Sequence, residues 1–185
     1  MSNEQREQIA QVAAQLIVES GIDDWQFARR KALKQLGLSE RTPLPDRRQL
    51  EAALRDYASL YLADEQPELI AELRREALSW MELLAEFEPE LTGPAAEGWA
   101  YPGCELRIEL LGDDVKMVEI ALLNRQIPVD HAPARPTPGP AILEAEGGIG
   151  PVRLIVQDVR DRRNRKQDRV RMKTAELREM VRRPG

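Results

Sequence analysis

The chain has 185 residues and a formal net charge of −5, with 42% hydrophobic, 32% charged and only 4% aromatic residues. This length suits one ordinary domain, or one domain with a helical extension, and excludes a large multidomain protein. The composition predicts an aliphatic core under a heavily charged surface, and it excludes disorder throughout the chain. The small net charge argues against a protein whose whole surface binds nucleic acid or membrane.

The charge is unevenly distributed along the chain. Residues 160–185 contain 11 basic and 4 acidic residues, so this segment carries +7 and residues 1–159 carry −12. Such a segment is often a solvated, mobile tail, and otherwise it predicts binding to nucleic acid or to an acidic protein. Because residues 160–173 contain no aromatic side chain, base stacking on single strands is not indicated. The basic residues assigned to such a partner are Arg160, Arg162, Arg163, Arg165, Lys166, Arg169 and Arg171.

A single cysteine, Cys104, and a single histidine, His131, exclude an internal disulfide and a Cys/His zinc site. Cys104 is expected to be a small buried residue, and His131 an exposed linker residue. The first residues, MSNEQREQ, lack the basic start and apolar run of a signal peptide, and no stretch approaches about 18 apolar residues. We therefore expect a cytoplasmic protein with no membrane-spanning segment.

Apolar spacing predicts four helices in the first half of the chain. The first ends at Ser20, the second covers about 24–36, the third begins after Asp46 and the fourth starts near Pro67. The aromatic side chains expected to face the core or a domain interface are Trp25, Phe27, Tyr57, Tyr61 and Trp80.

Strands and helices alternate in the second half. The predicted elements are a short strand within 91–98, a strand at 104–111, a helix at 115–125 with Met117 facing inward, strands at 141–146 and 152–157, and a short helix near 174–182. A proline-rich loop, roughly 133–140, precedes the last two strands. The fold class is therefore α+β, with a helical N-terminal region (1–66), a small α/β domain with a mixed sheet (67–159) and a basic C-terminal tail with a short helix (160–185).

Residues 91–110, LTGPAAEGWAYPGCELRIEL, resemble without a gap the signature of the nucleotidyltransferase superfamily. In that signature a Gly-Ser pair ends the first core strand, a loop with a further glycine follows, and an Asp-x-Asp pair lies on the next strand. Gly93 and Gly98 fall on the two glycines, and Glu105 falls on the first aspartate. The segments GIDDWQFARRKALKQLGL and LEAALRDYASLYL also resemble the helical front half of an uncharacterised bacterial family with a nucleotidyltransferase-like back half. The resemblance covers about residues 5–159 and implies a minimal nucleotidyltransferase-like domain.

The resemblance implies transfer of a nucleoside monophosphate from a nucleoside triphosphate. In the family, two acids on one strand and a third on a neighbouring strand hold Mg²⁺, and the glycine lets backbone N–H groups approach the phosphates. Here Arg107 stands at the second acidic position, and Arg153 lies on the strand expected to carry the third acid. Pro94 replaces the serine and removes a backbone donor. We therefore predict a degenerate site without metal or cofactor, in a binding or regulatory module rather than an enzyme.

Other interpretations of this site stay open. The alternation of Glu105, Arg107 and Glu109 is typical of a solvent-facing side of a strand. Arg107 and Arg153 would alternatively bind a nucleotide or another anion without a metal, or pair with local acids such as Glu105. The complete set of residues assigned to the anion site is Gly93, Gly98, Trp99, Arg107 and Arg153.

A residual nucleotidyltransferase is the enzyme alternative. It would bind Mg²⁺ and a nucleoside triphosphate through Glu105, with Glu109 or Asp158 as substitute ligands. Trp99 either fills the former nucleotide cleft or stacks on a base in an open one. The sequence leaves the identity of the ligand and the oligomeric state open.

Overall fold

The computed structural model describes residues 2–133 and 138–183, so part of the proline-rich loop predicted at 133–140 lies outside the described residues. Within these ranges the chain forms eight α-helices, a short 3₁₀ turn and a six-stranded mixed sheet, with helices leading. The predicted α+β class is confirmed. Contacts divide the chain into two units, Met1–Pro67 with Trp99–Gly103, and Glu68–Gly98 with Cys104–Gly185.

Three helices build most of the first unit. They are α1 (Ser2–Ser20), α2 (Trp25–Gln35) and α3 (Arg47–Tyr61). Asp24 caps α2, and Asp46 forms a capping box with Gln49 at the start of α3, as the sequence predicts for Asp46. The buried apolar side chains of these helices are Ile9, Ala10, Ala13, Ala14, Ile17, Ala28, Ala32, Leu33, Leu50, Leu54 and Ala58.

Two aromatic residues predicted for the core of this unit lie at its surface. Phe27 is 54% exposed, because the buried side of α2 is formed by Ala28, Ala32 and Leu33. Tyr61 is 67% exposed, and its ring lies against that of Tyr57 at a centroid distance of 4.6 Å, with the ring planes tilted by 36°. Both core predictions are therefore wrong.

The second unit contains most of α4 and the whole sheet. Its elements are α4 (Gln66–Leu83), the 3₁₀ turn Ala85–Phe87, β1 (Glu90–Thr92), α5 (Pro94–Glu97), β2 (Leu106–Leu111), α6 (Val115–Leu123), β3 (Asp130–His131), β4 (Ala141–Glu146), β5 (Pro151–Gln157), α7 (Val159–Asn164), β6 (Met172–Lys173) and α8 (Thr174–Arg182). The strand order is β3-β4-β5-β2-β1-β6. Only the central β2–β5 pair is parallel among these described neighbours.

Side chains alternate along each strand, so the sheet has two chemically different faces. One face is apolar and buried, and consists of Leu91, Leu106, Ile108, Leu110, Leu143, Val152, Leu154, Val156 and Met172. The helices of this unit bury Leu73, Ala77, Met81, Val118, Leu122 and Leu177. Met117 is 56% exposed, so its predicted inward orientation is wrong. We call the opposite side, which carries Glu90, Thr92, Arg107, Glu109, Glu144 and Arg153, the charged face.

The charged face is not solvent-facing where it was expected to be. Glu105, Arg107 and Glu109 are only 7%, 8% and 2% exposed, so the prediction of an exposed strand side is wrong. For Glu109 the physical reason is that two arginines of the basic segment, Arg165 and Arg171, contact its carboxylate, whereas Arg107 lies against Gly93 and Glu105. We call residues 158–173 the basic strap, because they form α7 and then return to pair β6 with β1. A solvated tail, the simplest expectation for this segment, does not describe it.

Candidate functional site

The charged face brings the predicted site residues into register. In the parallel pair of β2 and β5, Arg107 lies beside Arg153. Thr92 of β1 lies beside Arg107 on the other side of β2, and Glu144 of β4 lies beside Arg153 on the other side of β5. Arg107 and Arg153, which the sequence resemblance aligns with acidic residues, therefore lie on neighbouring strands of the sheet.

Each of these arginines binds a carboxylate of its own sheet. Arg107 Nε donates to Glu105 Oε1 at 2.6 Å, with the two side chains 10% and 9% exposed. Arg153 Nη1 donates to Glu144 Oε1 at 2.8 Å. Of the interpretations left open by the sequence, pairing with local acids is the arrangement that the structure contains. The four charges cancel, so this part of the face carries neither the negative excess that attracts Mg²⁺ nor a positive excess for phosphate.

The glycine-containing loop lies against Arg107. Gly93 has φ +74° and ψ −155°, a backbone conformation that side chains disfavour, and a Cβ at this position would lie 3.2 Å from Arg107 Cζ. Pro94 occupies the first turn of the four-residue α5, and Gly98 ends it with φ +85°. Arg74 Nε donates to the Ala95 carbonyl at 2.9 Å, and burial lowers the pKa of its guanidinium. The close approach that glycine allows is thus made to a guanidinium group.

Trp99 belongs to the first unit, whereas the other anion-site candidates belong to the second. Its side chain is 7% exposed, stacks on Tyr101 at a centroid distance of 6.1 Å and lies 5.4 Å from Arg55 Cζ. Gln66 holds the neighbouring backbone by donating to the Ala100 carbonyl and accepting from the Ala100 N–H. Trp99 is therefore a buried ring in an aromatic and cationic environment.

The strongest ion-pair cluster on the charged face was not anticipated from the sequence. Glu90 and Glu109 lie beside each other on β1 and β2, and Arg165 of the basic strap contacts both carboxylates. Its Nη1 lies 2.9 Å from Glu109 Oε2, and Arg171 Nε donates to the same oxygen at 2.8 Å. Arg162 Nη2 donates to the Glu88 carbonyl at 2.9 Å. Of the seven tail residues assigned to an external partner, Arg165 and Arg171 therefore bind the sheet of their own chain, and Arg162 binds Glu88 just before β1.

The protonation of this cluster follows from its composition. Burial alone would raise the pKa of Glu90, but the hydrogen bond and charge of Arg165, with Arg162 and Arg171 nearby, hold it below the ordinary value of 4.5. The hydrogen bond to Glu90 likewise raises the pKa of Arg165. Both groups are therefore charged at neutral pH. The opposite charges of residues 1–159 and 160–185 are the one sequence signal that points to this contact.

The other five basic residues of the strap are exposed, and one of them is Lys173 of β6. The other four are Arg160, Arg163, Lys166 and Arg169. In α7, Arg160 and Arg163 are three residues apart, a spacing that places side chains on the same side of a helix. The strap therefore has an inner side bound to carboxylates and an outer side, by which we mean the exposed Arg160, Arg163, Lys166 and Arg169. The same segment also exposes the carboxylates of Asp158, Asp161 and Asp168.

The carboxylates proposed as substitute metal ligands have other roles in the structure. Glu105 binds Arg107, Glu109 binds Arg165 and Arg171, and Asp158 Oδ1 accepts the Asp161 N–H at 2.7 Å as the N-cap of α7. Among the described residues, no group of three or more His, Cys, Asp or Glu side chains is arranged to hold a metal ion. The residues present do not fit the Mg²⁺ site that the family resemblance implies.

Cys104 and His131 have ordinary structural environments. Cys104 is 1% exposed and lies 3.8 Å from the Glu105 carbonyl oxygen, so its predicted burial is confirmed. His131 is exposed as expected, but it lies in β3 rather than in a linker, and its Nε2 lies 2.6 Å from Glu119 Oε1.

Comparison with family models and with curated proteins finds no match. No protein-family model matches the chain. A search of curated proteins likewise finds none that is similar to it.

Across residues 2–133 and 138–183, no helix combines the length and the apolar character needed to cross a membrane. The geometry of the charged face is therefore the basis for a functional proposal.

Proposed function

We propose that this protein acts by binding, and that its second unit resembles a nucleotidyltransferase that no longer carries out metal-dependent transfer. The observation that carries the proposal is the buried ion pair between Glu105 and Arg107, whose Oε1 and Nε atoms are 2.6 Å apart. A guanidinium at the second acidic position repels a metal ion. It also engages the carboxylate that the metal would need.

The neighbouring strand supports the same proposal. Arg153 lies in register with Arg107, where the family resemblance expects the third acid. Replacing a carboxylate by a guanidinium changes the local charge by two units in the direction that opposes Mg²⁺ binding. The residual-enzyme alternative would require Glu105, Glu109 or Asp158 to leave its present partner before it could bind a metal.

A nucleotidyl-transfer assay tests this proposal directly. The purified full chain is incubated with radiolabelled ATP or GTP, Mg²⁺ or Mn²⁺, and protein and RNA acceptors. We expect the unmodified chain to show no more nucleotidyl transfer than the Glu105→Gln variant. Metal-dependent transfer that is lost in Glu105→Gln but kept in the matched charge variant Glu144→Gln would overturn the proposal in favour of the residual enzyme. Thermal unfolding of each variant establishes that it is folded.

The outer side of the basic strap is the surface best suited to binding. Arg160, Arg163, Lys166 and Arg169 are exposed there, whereas the arginines at the family's acidic positions bind acids of the same sheet. An anionic macromolecule is the partner that such a surface favours. We propose that this binding takes place in the cytoplasm of a bacterial cell, which suits a chain whose single cysteine, Cys104, is buried.

A further inference from the structure

We infer that the outer side of the basic strap binds the phosphate backbone of double-stranded nucleic acid without sequence preference. The inference rests on the proposed binding function and names the class of partner. Its starting point is the division of the strap into an inner and an outer side, which the sequence alone does not reveal.

The inner side fixes the geometry of the outer one. Arg165 and Arg171 bind buried carboxylates of β1 and β2, and Asp158 caps α7 at the beginning of the strap. The exposed cations therefore lie on a backbone that is already ordered by the sheet. A preordered surface loses less conformational entropy on binding than a flexible tail of the same charge.

The chemistry of the outer side matches phosphate groups in a duplex. Three of its four cations are arginines, whose planar guanidinium groups bind phosphate oxygens through two parallel hydrogen bonds. Residues 158–173 contain no aromatic side chain, so they lack the stacking platforms by which proteins hold single strands. With only six residues, α7 is also short for a helix that reads base edges in the major groove. Contacts to the duplex backbone remain, and these carry no sequence information.

The charge distribution limits which other surface of the protein could bind a nucleic-acid duplex. Residues 1–159 carry −12, so most of the chain repels a polyanion. Its exposed basic residues include Arg30, Lys31 and Lys34 on α2. The pair Arg30 and Lys34 offers a matched control, because neutralising both changes the net charge as much as neutralising Arg160 and Arg163.

Fluorescence anisotropy with short labelled DNA and RNA duplexes of mixed sequence tests the inference on the full chain. If all four outer cations contact phosphates, the affinity should fall about 100-fold between about 50 and about 200 mM salt. The double variant R160Q/R163Q should lose about half of the slope of log affinity against log salt. The control R30Q/K34Q should keep the slope of the unmodified chain. Both variants change exposed side chains, and their thermal unfolding should match that of the unmodified protein.

Each contrary outcome identifies a different error. No duplex binding at low salt overturns the inference, and tighter binding to single strands of the same length does so as well. Loss of duplex affinity in R30Q/K34Q would overturn it by assigning duplex binding to α2. Displacement of the duplex by polyglutamate at equal charge concentration would overturn it by assigning the surface to acidic proteins. Nucleotidyl transfer in the separate assay would overturn the proposed function itself. Absence of both transfer and duplex binding would overturn only the present inference.

Discussion

Glu109 lies on β2 with only 2% of its surface exposed, and one of its oxygens accepts hydrogen bonds from two arginines of the basic strap. Replacing it by glutamine keeps the shape of the side chain but removes the charge that compensates Arg165 and Arg171. We expect Glu109→Gln to lower the free energy of unfolding by about 3 kcal/mol, the range found when one partner of a buried ion pair is lost. Urea denaturation monitored by circular dichroism measures this loss.

Glu144→Gln is the control for this prediction. Glu144 also binds an arginine of the charged face, but its side chain is 38% exposed, so solvent screens the interaction. We expect a loss below about 1 kcal/mol. Equal losses in the two variants would show that burial of the carboxylate does not determine the strength of these pairs.

Glu90 provides a prediction about pH. Because Arg165 holds its pKa below 4.5, the contribution of Glu90 to stability is present above pH 4.5 and is lost as the pH falls through the folded-state pKa. Other carboxylates titrate in the same range, so the informative quantity is the difference in unfolding free energy between the unmodified chain and Glu90→Gln. We expect this difference to be constant from pH 7 to about 5 and to shrink below that. A difference that does not change with pH would contradict the coupling to Arg165.

At the residue scale, the sequence predicted which side chains share one side of a strand better than it predicted what surrounds them. The alternation in residues 104–111 correctly placed Leu106, Ile108 and Leu110 on one side. It assigned the opposite side to solvent, because alternation reveals two faces but not what covers each. The residues that cover Glu109 are arginines 56 and 62 positions further along the chain. A local sequence pattern does not reveal a contact between residues so far apart in the sequence.

At the scale of elements, the role of Asp158 separates the binding proposal from the enzyme alternative. As the N-cap of α7 it accepts a backbone hydrogen bond, and asparagine does this almost as well as aspartate. We expect Asp158→Asn to leave stability nearly unchanged and Asp158→Ala to cost about 1 kcal/mol. Both values come from urea denaturation. If Asp158 instead held a metal ion, metal binding or activity would be lost in the asparagine variant, where the cap is kept.

Elements with a strong local signal were predicted well. The cap Asp46 and the strands β4 and β5 were found from a capping residue and from alternation. The two-residue β6 was missed, because it exists only through pairing with β1, about 80 residues away in the sequence. Helix α7 was missed since its six residues carry no apolar period.

At the scale of the whole molecule, the second unit depends on its C-terminal residues for charge compensation. Truncation after Asp158 removes Arg165 and Arg171 together with the buried Met172 and Leu177. Each buried carboxylate left unpaired costs about 3–5 kcal/mol, and a domain is stable by only about 5–15 kcal/mol. We expect the truncated chain to lose cooperative unfolding of this unit in circular dichroism and hydrogen exchange.

The outer-side variant R160Q/R163Q is the comparison for this truncation, because it removes charge without exposing the carboxylates. A truncated chain that unfolds at the same urea concentration as the full chain would contradict the role given to the basic strap. Nucleic-acid binding is therefore tested by substitution of individual side chains and not by deletion of the strap. A deletion would remove the binding surface and the support of the sheet together.

The contact between Arg171 and Glu109 closes a loop of about 60 residues, and this has a kinetic consequence. Contacts between residues so far apart in sequence are costly to form early, because the chain between them must first be ordered. We expect the ion pair to form after the rate-limiting step of folding. Arg171→Gln should then accelerate unfolding in stopped-flow experiments while leaving the refolding rate nearly unchanged. The basic strap would thus determine how long the sheet stays closed once it has formed, and have little effect on how fast it assembles.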